Sequence, residues 1–140
     1  MKTLLALLFG FVALLAPARA CDIMVGTATL HPGILLTLQP GVPEVLYWDL
    51  RDCGTVQNYT LFVTKPRPCR TCTQKALSPG TKLTLLAENL TTGAMTSCPG
   101  FICGMGCVTG SQVQLTLLNS GNRPLDVEVT TTAALGGVCP

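Results

Sequence analysis

The chain has 140 residues, of which 48% are hydrophobic but only 5% aromatic, with 11% charged and a formal net charge of +2. That length fits one ordinary domain whose core rests on Leu, Val and Ile, and so weak a positive balance excludes bulk attraction to nucleic acid or to an anionic membrane. Eight cysteines against one histidine exclude a histidine-rich metal motif and point to a disulfide framework.

Residues 1–20 read as a cleaved signal peptide. Lys2 is the basic start, residues 4–15 form a short apolar run, and Ala18-Arg19-Ala20 places small residues at the cleavage point. The run is too short to span a bilayer comfortably, so a secreted, extracellular protein without a transmembrane segment is expected. Cleavage after Ala20 leaves Cys21 first, the position that bacterial lipoproteins acylate. Arg19, however, stands where that signal wants a small residue. Lys2 and Arg19 leave with the leader, so the mature chain, 21–140, carries seven basic and seven acidic residues and no net charge.

Proline and glycine punctuate the mature chain too often for a helical domain. Residues 21–30 read as a weak first strand and His31-Pro32-Gly33 as a turn. Strand 34–39 follows, then a turn over 40–43, then strand 45–50 with Tyr47 and Trp48. Residues 59–64 alternate β-formers. Beyond a cysteine-bearing loop, 81–87 is a strand, and 113–118 is another after a second such loop. Asn119-Ser120-Gly121-Asn122 is a turn. In the last strand, 125–132, Leu125, Val127 and Val129 share one face while Asp126, Glu128 and Thr130 share the other, the period of a half-buried strand. Short strands between regular turns predict an all-β fold: a single disulfide-stapled antiparallel β-sandwich over 21–140, Ig-like or Greek-key, with about 6–8 strands. A faint echo, Leu30-His31-Pro32-Gly33 against Leu77-Ser78-Pro79-Gly80, is explained by a shared turn or by chance without duplication.

All eight cysteines (Cys21, Cys53, Cys69, Cys72, Cys98, Cys103, Cys107 and Cys139) survive cleavage. Cys69-Arg70-Thr71-Cys72 has the spacing of a redox motif, but it follows Pro66 and Pro68 and no helical pattern comes after it, so a disulfide-bearing loop is expected. Residues 98–107 hold three cysteines and three glycines in ten positions, which suits neither a helix nor a regular strand. A four-thiolate zinc site among Cys69, Cys72, Cys103 and Cys107 is disfavoured in an oxidising compartment, and no cofactor or metal is expected. Five cysteines in these two loops is an odd number, so full pairing requires one bridge outward to Cys21, Cys53 or Cys139. The expected arrangement bridges the two loops to each other and uses Cys139 to tie down the last strand.

Asn58-Tyr59-Thr60 and Asn89-Leu90-Thr91 are N-glycosylation triplets, making Asn58 and Asn89 candidate acceptors. A nucleophilic hydrolase would have to use His31, which lies in a turn. A sugar-cleaving pair could draw on Glu44, Asp49 and Asp52 beside Tyr47 and Trp48, but Trp48 reads more simply as a core aromatic. A non-enzyme is expected. Loop 65–75 holds Lys65, Arg67, Arg70 and Lys75, four of the seven mature basic residues. With Phe101, Ile102 and Met105 of loop 98–107, these residues are candidates for a patch with an apolar centre and a basic rim. The expected function is a secreted binding module that presents both loops to an extracellular protein or glycan.

Tyr47-Trp48-Asp49-Leu50-Arg51-Asp52-Cys53-Gly54, then Cys69, Cys72, Gly80 and Leu83-Thr84-Leu85-Leu86, resembles the opening of ML-type lipid-recognition domains. The resemblance spans a third of the mature chain. It implies a secreted disulfide-linked sandwich holding a lipid between its sheets, the second functional reading. A small secreted hydrolase is the third.

Overall fold

A computed structural model describes residues 33–69 and 71–140. The expected leader, the strand over 21–30 and His31 lie outside the described residues. The described chain is all-β, with antiparallel pairing throughout both sheets. Its nine strands are β1 Ile34–Leu38, β2 Pro43–Asp49, β3 Val56–Lys65, β4 Lys75–Ala76, β5 Leu83–Asn89, β6 Met95–Ser97, β7 Ile102–Gly106, β8 Gln112–Asn119 and β9 Leu125–Leu135. One sheet runs β1-β9-β3, with β4 and β7 both on the far edge of β3; the other runs β2-β8-β5-β6.

Alternation dictates which faces turn inward. In β8, Val113, Leu115, Leu117 and Asn119 are buried while the residues between them are half-exposed. In β5, Leu85, Ala87 and Asn89 are buried. Strand β3 changes phase: Val56 is buried, and so is Tyr59 three positions on. The chain absorbs the odd residue at Asn58, whose φ of 51° is left-handed. Across this point the partners step from Gln57↔Ala134 to Thr60↔Thr132, three residues on β3 against two on β9, which defines a β-bulge. Beyond it Leu61 and Val63 again face inward. Buried side chains of both sheets, among them Leu38, Trp48, Leu61, Leu85, Leu115 and Val127, form one hydrophobic cluster. Its aliphatic make-up is the one the composition predicts.

Asn119 ties three segments together. Its Nδ2 donates to Leu38 O at 3.0 Å and to Arg123 O at 2.7 Å, and its Oδ1 accepts from Gly121 N at 2.9 Å. Gly41, left-handed at φ 74°, donates to Asn119 O at 2.8 Å and turns the chain from β1 into β2.

Several expectations need correction. Nine strands exceed the 6–8 expected, because β4, β6 and β7 are short edge strands without a hydrophobic repeat. Within 98–107, residues Ile102–Gly106 do form a strand, β7, whose glycines are tolerated because β3 is its single partner in the sheet. The outer face of β9 is only partly solvated: Asp126 is exposed, but Glu128 and Thr130 are 3% and 1% exposed, because the segment after β3 folds over them. The two cysteine loops are not bridged to each other. Cys69–Cys72 and Cys98–Cys103 each close locally, while Cys107–Cys139 holds the chain end against the body. Cys53 is also disulfide-bonded.

Candidate functional site

The site begins where β3 ends, at Lys65. Pro66 and Pro68 lack a backbone N–H and cannot continue the ladder. Arg67, between them, turns back onto β9. Its backbone N–H donates to Glu128 Oε2 at 3.1 Å, its Nε lies 3.0 Å from Oε1, and its Nη2 donates to Oε1 at 2.7 Å. Both side chains are almost fully buried, 3% and 4% exposed. Burial alone would push the Glu128 carboxyl up, but the Arg67 hydrogen bonds and charge, with a backbone hydrogen bond from Gly33, outweigh it and hold the group below its ordinary range. Arg67 is raised in turn, chiefly by its hydrogen bonds to Glu128. Gly33 is required there: a Cβ on it would collide with the Glu128 side chain.

Two further ties fix the loop. The Cys69–Cys72 disulfide closes a four-residue ring, reinforced by Cys72 N donating to Cys69 O at 3.2 Å. Gln74 Nε2 donates to Thr130 Oγ1 at 3.0 Å, on the same outer face of β9 as Glu128. The chain then returns to β3 as β4, placing Lys75 directly opposite Lys65 and Ala76 opposite Thr64. Both lysines are exposed. Neither makes an ion pair among the described residues, whose pairs are Arg51–Asp49 and Arg67–Glu128. Beside them opens a pocket of about 440 Å³ lined by Lys65, Pro66, Pro68, Cys72, Thr73 and Lys75.

The structure thus divides the predicted patch. Lys65 and Lys75 come together. Arg67 is withdrawn as a contact residue, because burial against Glu128 consumes its charge. Arg70 lies outside the described residues. Phe101 and Met105 are half-buried and pack against the core, while Ile102 is 46% exposed. Both loops do share one edge, since β7 pairs with β3 over Tyr59–Phe62 and β4 pairs with it at Thr64 and Lys65. Glu128 and Gln74 were not foreseeable as loop anchors, because their partners are 61 and 56 residues away. The one available hint was the pair of carboxylates, Asp126 and Glu128, in the polar phase of a strand rich in β-formers.

The remaining candidates are placed as follows. Trp48 is buried at 5% exposure, whereas Tyr47 is 67% exposed. Asp49 is engaged by Arg51, with Nε at 2.9 Å and Nη2 at 2.7 Å. Asp52 is exposed and Glu44 half-buried. Asn58 is exposed at its bulge. Asn89 is buried: its Nδ2 donates to Ser111 Oγ at 3.0 Å, and its Oδ1 accepts from Thr91 N and Thr92 N. The nitrogen a glycan would modify is the one engaged with Ser111. No family model, curated protein or solved structure matches the chain.

Proposed function

We propose that this chain is a secreted binding module, a single β-sandwich over residues 21–140 behind a cleaved leader. It offers the clamped 65–75 loop to an extracellular protein or glycan that carries negative charge. One observation carries the reading: the loop's described cations are sorted. Arg67 is spent inside on Glu128, while Lys65 and Lys75 are left outside, opposite each other and without an anion among the described residues. A loop held by a disulfide, a buried ion pair and the Gln74–Thr130 hydrogen bond loses little conformational entropy on binding. The single hydrophobic cluster drawn from both sheets supports the sandwich, and the disulfides support an oxidising compartment. The lipid-carrier reading lacks an equivalent observation: the described pockets are lined mainly by loop residues and by β1 and β9, and Val127 is the one member of the buried cluster among them.

The test is retention of the folded protein on an immobilised sulfated polysaccharide and on an acidic protein. Retention should weaken with salt and fall sharply in the Lys65→Gln/Lys75→Gln double variant, while Lys82→Gln behaves as wild type. Equal retention of the double variant and the wild type removes the reading.

A further inference from the structure

We propose that the pocket beside Lys65 and Lys75 binds one tetrahedral oxyanion carried on a sugar, the sulfate group of a sulfated saccharide unit. This rests on the reading of loop 65–75 as the binding element and names its ligand.

The cross-strand register is the first ground. Like charges directly opposite each other on neighbouring strands are unfavourable, and here both members of a Lys65–Lys75 pair are fixed in place by the return of β4 to β3. Among the described residues no carboxylate pairs with either lysine: Glu128 is enclosed with Arg67, and Asp126, which lines a neighbouring pocket with Pro66, accepts from Thr37 Oγ1 at 2.6 Å. An anion seated between the two ammonium groups would relieve them.

The donor type is the second ground. Arg, with its planar fork, matches a flat carboxylate two-fold, and this chain uses it so at Asp49, while at Glu128 both Nε and Nη2 of Arg67 reach Oε1. Lysine is a compact charge with three rotatable donors and imposes no planar geometry on its anion. Two lysines opposite each other on adjacent strands therefore supply charge without a planar fork, which admits the tetrahedral oxygens of a sulfate or phosphate.

Size and lining are the third. A volume of about 440 Å³ exceeds what a bare oxyanion needs and falls within the range of small-molecule sites. Pro66 and Pro68 give it rigid apolar ring faces against which the C–H face of a sugar can lie. Thr73 adds a hydroxyl able to donate or accept. Cation, apolar wall and hydroxyl together match a sugar bearing one anionic substituent.

The experiment is an amide-resolved NMR titration of the intact, oxidised protein with glucose 6-sulfate, glucose 6-phosphate, glucuronate and glucose. Saturable shifts confined to the amides of Lys65, Cys72, Thr73 and Lys75 are expected with the sulfate ester. Binding should be at least tenfold weaker in Lys65→Gln and in Lys75→Gln, whose other amides stay in place and report an intact fold. Glucose should shift nothing. Saturation by the phosphate ester alone, or equally by glucuronate, overturns the assignment to sulfate. Retention on a sulfated polysaccharide without any saturable response to the monosaccharide sulfate overturns the pocket while leaving the binding-module reading in place. Absence of retention on every acidic surface removes both.

Discussion

Replacing Glu128 by Ala leaves the Arg67 guanidinium buried without its anion. Breaking a buried pair on one side costs about 3–5 kcal/mol, so Glu128→Ala should unfold at markedly lower urea concentration than wild type. The pH dependence follows from the sign of the shift. Glu128 is held below its ordinary range in the folded protein, so its contribution is present above the unfolded carboxyl value of about 4.3. It is lost as pH falls through the lowered folded value. The stability gap between wild type and Glu128→Ala should therefore be constant near neutrality and narrow only in acid. At the two glycosylation triplets the outcomes should diverge. Expressed in a glycosylating host, the folded protein should carry its glycan on Asn58, so that Asn58→Gln abolishes the mass increment. Asn89→Gln should leave the mass increment unchanged but lower stability by about 1–3 kcal/mol, because the buried Asn89 amide satisfies Ser111 and two backbone N–H groups.

Among the elements, the disulfides differ most in what they do. Cys107–Cys139 closes a span of 32 residues and Cys69–Cys72 a span of 3. Chain-entropy arguments give the long closure about 4 kcal/mol and the short one about half that. Cys107→Ser/Cys139→Ser should accordingly lower the melting temperature far more than Cys69→Ser/Cys72→Ser, as read by calorimetry. The short bridge should instead show itself as loss of affinity in the lysine pocket. Strands such as β5 and β8 were legible because their Leu, Val and Ala, Leu86 and Leu118 apart, alternate with polar residues. β4, β6 and β7 were not, because two to five residues at a sheet edge carry no period and owe their pairing to a partner distant in sequence. β9 was legible as a strand but not as a doubly covered one. Its alternation is real, yet a polar phase cannot announce that Arg67 and Gln74 will descend on it. The same gap limits the site: the clustering of basic residues is visible in the sequence, while the sorting of Arg67 from Lys65 and Lys75 needs the register.

At the scale of the whole molecule, stability rests on the aliphatic cluster drawn from both sheets, to which β8 contributes the fully buried Leu117. Leu117→Ala should cost about 2–5 kcal/mol, checked by chemical denaturation, without altering affinity at the lysine pocket on the other sheet. The position of β9 has a consequence for how the chain is made. It lies between β1 and β3, pairing Ile34 with Val129 and Thr64 with Glu128. Synthesis delivers β1 and β3 early and their common neighbour last, so during translation both present open hydrogen-bonding edges with nothing to close them. Such distant pairings also fold slowly, on the millisecond-to-second scale. A nascent chain of this topology spends its vulnerable period waiting for β9, and its exposure to mispairing is set by the pace of elongation from β3 to β9.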